Sequence, residues 1–384
     1  MGENIYRLRG PTTWAGPPDV FSHSALADIG ECPRRWQLTH SQFGTLQRFP
    51  ARPRPSSVEG QIIHALLERL FRALAIAGCP QIGSDEFRAC VESVDLAGEL
   101  RRQLQEHERR LSEHPRGAAC RIASTAIDLR NRVIRLFRSE YRADGDWRAD
   151  GRAERIGVTA VALTCAERAG EFARGPAEIR LEHPSLPFVG VIDLVRYEAG
   201  RPVIVDFKTG QAKAEHRGQV RTYALLWLRC RGELPSRAQV RYPSGTVQVA
   251  ISERDLFAAE TELAERISGA RTALESAPAP CSPGEQCRWC DVRQYCDDYW
   301  TSPQPRAQNA GSFLDVQVAP IGVPSCSGFT ARDGVDKEMH VVFDEQCGVL
   351  HGPFKAGEVV RVLGAVRQAK NEVRLIEASE VFHR

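Results

Sequence analysis

The chain has 384 residues, of which 42% are hydrophobic and 26% are charged, as in an ordinary globular protein. A net charge of +2 excludes a polycation that binds nucleic acid through bulk charge. No run approaches the roughly 18 uncharged apolar residues of a membrane span, so we expect no membrane partner. The first residues also lack the apolar segment of a secretory signal, and the sequence therefore predicts a cytoplasmic protein.

Cysteine and lysine are used unusually in this chain. Twelve cysteines are many for a reducing compartment, where clustered cysteines indicate a metal site or catalysis rather than disulfides. Lysine is rare, because the 51 basic residues include only five lysines. A lysine at a given position is therefore an exception that asks for a chemical reason.

Most of the chain reads as helices followed by a sheet. Ser22 or Ser24 predicts a helix start, and Pro33 breaks or restarts that helix. A helix with an apolar stripe is predicted at 59–75, and two or three amphipathic helices at about 85–142. From about 156 the pattern favours strands: VTAVALTCAE, EIRLEH, FVGVIDLVRYE and RPVIVDFKTG. Two more helices, GQVRTYALLWLRC and DLFAAETELAERISGARTALES, flank a strand pair in RYPSGTVQVAIS.

A linker, TSPQPRAQNAG, predicts a domain boundary near residue 305. We expect domains at 1–304 and 305–384, and such a tether predicts that the two share little core. The last stretch reads as short strands (SFLDVQVA, EMHVVFDE, EVVRVLGAVRQ and EVRLIEASEVF) and resembles an OB-fold in length and strand rhythm. Binding of single-stranded DNA and a role in protein contacts or stability stay open for this small β-barrel.

Two acidic residues lie inside apolar runs of a predicted hairpin. The first strand ends near Asp193, and the second carries Asp206, Phe207 and Lys208. Strand alternation puts Asp206 and Lys208 on one face and turns Phe207 into the core. A D-x-K pair alone is usually a solvated pair, but a carboxylate in an apolar run is costly without a function. Two carboxylates and a rare lysine suit a hard divalent cation that hydrolyses a phosphodiester.

This hairpin resembles the PD-(D/E)XK nuclease superfamily, and within it the RecB-type branch. In that branch an Asp follows a G-x-[IV] step, as in Gly190-Val191-Ile192-Asp193, and the next strand ends in D-x-K. The resemblance implies an α/β, restriction-endonuclease-like nuclease core with a helical insertion at about 85–142.

Two helical motifs extend the resemblance over roughly residues 20 to 300. A Q-x-x-x-Y motif matches Gln219 and Tyr223, which by spacing alone would read as surface and core residues. A G-x-x-x-H motif matches Gly60 and His64, and the resemblance implies that this imidazole is a metal ligand. The implied catalytic residues are His64, Asp193, Asp206, Lys208, Gln219 and Tyr223. The implied metal is Mg²⁺ or Mn²⁺, held by His64, Asp193, Asp206 and Phe207.

Three cysteines form a compact run after the last predicted helix. Cys287, Cys290 and Cys296 need a fourth ligand, and Cys281 or a distant cysteine would supply it. The spacing leaves zinc and an iron–sulfur cluster equally open. A RecB-type subgroup that includes the CRISPR-associated adaptation nuclease resembles this chain at both ends, with a C-P-x-x-[WYF] step matched at Cys32. That resemblance implies a [4Fe–4S] cluster held by Cys32, Cys287, Cys290 and Cys296, with Cys281 in reserve.

These observations predict a metal-dependent DNA nuclease, acting as an exonuclease or endonuclease on single strands or duplex ends in repair, recombination or defence. The sequence lacks a G-x-x-x-x-G-K-[ST] loop, so a partner helicase would supply any motor activity. The alternative is a non-catalytic DNA-binding or scaffolding subunit that keeps the fold and the cluster. The intact His64, Asp193, Asp206 and Lys208 set disfavours that alternative.

Overall fold

The computed structural model gives the fold of most of the chain. It describes residues 5–46, 48–78, 80–117, 120–141, 177–302, 313–322, 325, 327–334, 336–344 and 355–384. The predicted strand VTAVALTCAE and the predicted boundary near 305 lie outside these residues. Among the described helices, none combines the length and the apolar character needed to cross a bilayer.

The structure contains the predicted helices, and two of them begin four residues before the predicted start, at Pro55 and Ala214. The helices are α1 (His23–Glu31), α2 (Pro33–His40), α3 (Pro55–Ile76), α4 (Asp85–Ser93), α5 (Leu96–Glu113), α6 (Ala126–Tyr141), α7 (Ala214–Arg231), α8 (Glu253–Ala273) and α9 (Asp297–Thr301). The Ser22 side chain caps α1 by accepting from the Ala25 N–H. Cys32 separates α1 from α2, and Pro33 occupies the first turn of α2, where its missing N–H costs nothing. The three helices between 85 and 141 confirm the predicted helical stretch.

The strands form two sheets. They are β1 (Ile5–Arg7), β2 (Phe21–Ser22), β3 (Ala177–Glu182), β4 (Phe188–Glu198), β5 (Arg201–Phe207), β6 (Arg237–Tyr242), β7 (Gly245–Ala250), β8 (Phe313–Pro320), β9 (Gly328–Asp333), β10 (Glu338–Phe343), β11 (Val360–Ala369), β12 (Glu372–Leu375) and β13 (Glu380–His383). The first sheet has the order β2-β4-β5-β6-β7, with β3 paired to β4. The β4–β5 pair is the predicted antiparallel hairpin, and β6 adds in parallel beside β5.

Helices cover both faces of the first sheet. Ile192, Val195 and Ile204 belong to a core that includes residues of α7 and α8. Val203 and Phe207 belong to a second core with the apolar side chains of α3 and α6. Strands that are buried on both faces have apolar residues at consecutive positions, and this explains the nearly continuous apolar run VIVDF in β5.

The second sheet closes into a five-stranded barrel. Strands β8, β9, β10, β12 and β11 follow one another around it, and β11 pairs back to β8. The β10–β12 pair is parallel, and its neighbours in the barrel are antiparallel. The sequence missed β9, and it treated β12 and β13 as one run, although a turn at Ser379 separates them.

The expectation that the barrel shares little core with the preceding residues is wrong. Strand β1 pairs in parallel with β13 of the barrel sheet, and Tyr6 lies opposite Phe382, which is 376 residues further along the chain. Leu38 of α2, Leu363 of β11 and Phe382 pack in one cluster with Cys287, Cys290 and Cys296. The composition of the linker carries no information on contacts between distant segments.

Candidate active site

Three carboxylates lie side by side on three adjacent strands. The β3–β4 register pairs Ala177 with Leu194 and Ile179 with Ile192, so Glu178 opposes Asp193. The β4–β5 register pairs Leu194 with Val205, and one step further it puts Asp206 beside Asp193. The predicted hairpin thus brings both aspartates together, although β4 continues five residues past Asp193 to Glu198.

The backbone is irregular where these carboxylates meet. Regular alternation would put Ile192 and Leu194 on one face, yet they belong to different cores on opposite faces. The facing Glu178 has a φ of 56°, a left-handed conformation that is uncommon for a residue other than glycine. The strand therefore changes face at Asp193, and the change directs its carboxylate toward the side of α3.

Lys208 and Phe207 lie as predicted from strand alternation. The Lys208 Nζ is 2.8 Å from Asp206 Oδ2 and donates a hydrogen bond to Oδ1 at 3.1 Å. The Phe207 ring is buried beside Phe71, and its N–H donates to Asp193 Oδ2 at 2.6 Å. In the predicted metal set, Phe207 therefore has its carbonyl oxygen as the one ligand atom it can offer.

His64 reaches the carboxylates from α3. Its Nδ1 lies 3.7 Å from Asp193 Oδ1 and 3.7 Å from Glu178 Oε1. The apolar stripe of α3 is buried in the second core, and this packing holds the helix against the sheet with His64 beside the carboxylates. The sequence missed Glu178, because EIRLEH has no motif and only the register with β4 identifies this glutamate as the one that faces Asp193.

Two glycines of the sequence motifs sit at close approaches. A Cβ on Gly190 would lie 2.6 Å from Leu226 Cδ1 and 2.9 Å from Tyr223 Cε1, so a side chain there would push α7 from the hairpin. A Cβ on Gly60 would lie 3.4 Å from Thr209 Oγ1, just after the D-x-K run. Gly190 therefore lets α7 pack directly on the hairpin, whereas the contact at Gly60 is an ordinary van der Waals distance that leaves room for a methyl group.

Gln219 and Tyr223 lie together on α7, as their spacing predicts. Gln219 Nε2 donates to the Tyr223 hydroxyl at 2.7 Å. Burial raises the pKa of Tyr223, and the negative charges of Asp206 and Asp193 raise it further although Gln219 opposes them. The Tyr223 hydroxyl is therefore close enough to the acidic cluster to sense its charge.

The acidic cluster holds more negative charge than its own cations balance. Burial, followed by the charge of Asp206, raises the pKa of Asp193 to about 7 despite His64 and Lys208. Burial also raises the pKa of Asp206 against the opposing charge of Lys208. Burial alone would lower the pKa of His64, but Glu178 and the two aspartates outweigh it and raise that pKa. A cation placed among these side chains would relieve the excess charge.

The donor set fits a divalent metal ion. One ligand atom each from His64, Glu178 and Asp193 lies within 4.8 Å of the others. Asp206 Oδ2 is buried and accepts no hydrogen bond from the part of the chain that the structure describes, although the Lys208 ammonium lies 2.8 Å from it. Oxygen donors with one imidazole suit Mg²⁺ or Mn²⁺, whereas a thiolate would favour a softer ion.

Five cysteines, one of them distant in sequence from the other four, form a second cluster. Cys32, Cys281, Cys287, Cys290 and Cys296 line one small cavity. Cys32 accepts the Arg35 N–H at 3.4 Å, and Cys287 accepts the Gly284 N–H at 3.4 Å. Backbone hydrogen bonds from Val292 and Tyr299 oppose the burial that raises the pKa values of Cys290 and Cys296. Backbone donors to sulfur stabilise thiolates, as a bound metal or cluster requires.

Cys281 occupies a different position within this cluster. Its Sγ lies 3.6 Å from Cys296 Sγ, and it also interacts with Cys32. Burial and the two neighbouring cysteines raise its pKa, which favours a protonated thiol. Cys281, Cys296 and Asp298 also form a group with metal-ligand spacing. The local cysteine and the distant Cys32 thus both lie within reach of the three-cysteine run.

Comparison with known proteins identifies the class to which this fold and site belong. Residues 20–297 match the model of the PD-(D/E)XK nuclease superfamily, which covers more than half of the chain. The chain therefore belongs to the PD-(D/E)XK nuclease superfamily, whose members are typically metal-dependent nucleases.

No curated protein matches the chain. A solved structure titled "Structural mimicry for functional antagonism" is 7% identical, with 49% of this chain and 79% of that chain covered and a TM-score of 0.17. Another, titled "Crystal structure of SSO0001", is 14% identical, with 43% and 80% covered and a TM-score of 0.23. At such TM-scores the shared geometry is too small to bear on the fold or function of this chain.

Proposed function

We propose that this protein is a metal-dependent deoxyribonuclease that hydrolyses phosphodiester bonds at the His64, Glu178, Asp193, Asp206 and Lys208 cluster. The observation that carries the proposal is the excess of buried negative charge at Asp193 and Asp206, beside a lysine in a chain that almost always uses arginine. Buried, unbalanced carboxylates of this kind mark functional sites more often than structural ones.

The side chains have separate tasks in this proposal. His64, Glu178, Asp193 and Asp206 hold the divalent ion, with Phe207 contributing through its backbone. When bound, Mg²⁺ or Mn²⁺ activates water and neutralises charge on the phosphate that is cut. Lys208, held by Asp206, would present its ammonium group to the phosphate oxygens.

Gln219 and Tyr223 have positioning roles in this proposal. Their hydrogen-bonded pair lies on α7. Because Gly190 has no side chain, Tyr223 can pack against the hairpin. The pair supports the wall of the site on the side opposite α3, and the Tyr223 hydroxyl offers a neutral donor to the strand that enters.

The substrate we propose is DNA, as single strands or duplex ends, cut by exonuclease or endonuclease action in repair, recombination or defence. Membership of the RecB-type branch is supported by Gly190, Asp193, Gln219 and Tyr223 at the branch spacing and by their convergence in space. A helicase is the partner class we propose, because the chain has no phosphate-binding motor loop of its own.

Cleavage of end-labelled single- and double-stranded DNA with Mg²⁺, Mn²⁺ or EDTA tests this function. We expect the wild type to cut with either metal and to stop in EDTA. Asp206→Ala and Lys208→Ala should each lose about a hundredfold or more in rate, since one electrostatic group at a reacting centre is worth that much. Lys213→Ala, which removes an exposed lysine paired with Glu215, is the matched control and should cut normally.

Two results would overturn the assignment. Substantial cutting by pure Asp206→Ala or Lys208→Ala would place the reaction elsewhere. DNA binding without any metal-dependent cutting by the wild type would favour the non-catalytic scaffold subunit.

We propose further that Cys32, Cys287, Cys290 and Cys296 hold a [4Fe–4S] cluster. The support is their shared cavity and the backbone hydrogen bonds to each sulfur. Protein purified without oxygen should be brown and contain about four irons per chain. Stoichiometric zinc in a colourless preparation would favour a zinc site. Loss of iron in Cys281→Ala, with Cys32→Ala unaffected, would make the local cysteine the fourth ligand.

The barrel is proposed to be an OB-fold that binds single strands. Its strand order, with a parallel pair between β10 and β12 and closure of β11 on β8, supports that topology. A groove of about 750 Å³ beside it is lined by Trp300, Lys337, Arg367 and Lys370, among others. Replacing Lys337 and Lys370 by Glu should weaken DNA binding and lower its salt dependence, and unchanged values would leave the barrel a structural role.

A further inference from the structure

The cysteine segment presents a tryptophan to solvent. Trp289 ends a short 3₁₀ helix, Glu285–Trp289, and lies between Cys287 and Cys290, which are buried. Its side chain is 61% exposed, whereas Trp36 and Trp227 are 6% and 7% exposed. Because indole rings gain much from burial, an exposed one between two buried cysteines indicates contact with another molecule.

Two arginines lie at this tryptophan, one over its ring and one on its backbone carbonyl. The Arg288 guanidinium carbon lies 5.0 Å from the Trp289 ring centroid, in cation–π contact. Arg54 Nη2 donates to the Trp289 carbonyl at 2.9 Å and lies 3.6 Å from an Asp291 carboxylate oxygen. Both arginines are exposed at the surface. An exposed aromatic ring with arginines at its ring and at its backbone suits both parts of a nucleotide, because the base can stack on the ring and the phosphate can pair with a guanidinium group.

The position of this patch relative to the acidic cluster is set by one helix. Arg54 is the N-cap residue of α3, and His64 follows ten residues later on the same helix. At 1.5 Å per residue the two are about 15 Å apart along the helix axis. A strand of a few nucleotides would span that distance, and the hydrogen bond from Arg54 to the Trp289 carbonyl links the backbone of this tryptophan to the helix that carries His64.

We propose that Trp289, together with Arg288 and Arg54, is a stacking site for an unpaired base of a single DNA strand that enters the acidic cluster. The inference rests on the proposed nuclease function and specifies how that site holds its substrate. The two arginines and the aromatic face favour a nucleic acid over a protein as the bound partner. The binding experiment below distinguishes the two.

The test is binding of fluorescein-labelled single-stranded DNA and of blunt duplex, followed by anisotropy in EDTA, which prevents cutting. Stacking of one base is worth about 1–3 kcal/mol, so Trp289→Ala should weaken single-strand binding by about 5- to 150-fold. Trp289→Phe keeps an aromatic face and should recover most of that loss. Blunt duplex should bind all three proteins equally, because its bases are already stacked.

A matched control exists on α8. Phe257 is 68% exposed, and the Arg229 guanidinium lies 5.9 Å from its ring centroid. This pair therefore has the same two features as Trp289 and Arg288, an exposed aromatic ring and a neighbouring arginine. Phe257→Ala should leave single-strand affinity unchanged. An equal loss in Phe257→Ala and Trp289→Ala would overturn the stacking site.

Failure of this inference and failure of the nuclease function give different results. Wild-type affinity in Trp289→Ala, with metal-dependent cutting intact, would overturn the stacking site alone. The exposed ring would then be assigned to contact with a protein partner. Normal single-strand binding that depends on Trp289, without cutting by the wild type, would overturn the nuclease function and uphold the stacking site.

Discussion

The acidic cluster and the junction between the barrel and the rest of the chain both bury charge, but they balance it differently. At the junction, Arg116 and Arg52 surround Glu380, and they lower its pKa although burial alone would raise it. In the acidic cluster, Lys208 and His64 do not offset burial, and the pKa of Asp193 is raised to about 7. A balanced buried charge serves the fold, whereas an unbalanced one needs a ligand from outside the chain.

The second junction contact follows the first pattern. Arg293, between Cys290 and Cys296, pairs with Asp315 of β8, which also accepts from the Tyr299 hydroxyl at 2.8 Å. Burial would raise the pKa of Asp315, but Arg293 and its hydrogen bonds lower it. The cysteine segment and the barrel are thus joined by satisfied ion pairs as well as by apolar packing.

Breaking the balanced region should produce the largest change in stability. Arg116→Met leaves Glu380 with one arginine, and Arg116 is fully buried with additional hydrogen bonds to the Pro50 and Asp291 carbonyls. Loss of one partner from a buried pair should lower the free energy of unfolding by about 3–5 kcal/mol, measured by urea denaturation. Arg109→Met, in an exposed helical ion pair, is the control. Equal stability of the two variants would contradict a structural junction.

A change without charge should disturb the acidic cluster to an intermediate degree. Gly190→Ala forces a methyl group against Leu226 and Tyr223, and overpacking of this kind costs about 1–3 kcal/mol. Because α7 then moves from the hairpin, we expect cleavage to fall more than stability. Gly269→Ala on α8, where a Cβ meets nothing within 4 Å, should be neutral or stabilising. Wild-type cleavage by Gly190→Ala would show that the close approach does not position the site.

The smallest expected effect is also the one with the opposite sign. In metal-free protein, Asp193→Asn should raise the free energy of unfolding near pH 7.5 by on the order of 1 kcal/mol, because it removes a destabilised charge. A raised carboxyl pKa contributes stability that is present below its unfolded value near 4 and lost as pH rises through about 7. The variant should lose less stability over that range than the wild type. A destabilised Asp193→Asn protein would make this carboxylate structural.

The sequence predicted the hairpin and the helices well, because each depends on neighbours in the chain. Apolar runs around Asp193 and Asp206 fixed two strands, and Pro33 and Ser22 marked helix starts. The sequence did not identify Glu178, since its role depends on strand register rather than on a local pattern. The sequence did not predict the junction either, because Arg116 and Glu380 are separated by 264 residues.

Binding of Mn²⁺ to metal-free protein tests the central claim most directly. Titration followed by calorimetry and electron paramagnetic resonance should reveal a bound ion in the wild type, and the same ion should be lost in His64→Ala and in Asp193→Asn. Binding should also raise the unfolding midpoint of the wild type, because the ion supplies the charge that the cluster lacks. Mn²⁺ that binds Asp193→Asn as tightly as the wild type, or that binds neither protein, would contradict the account.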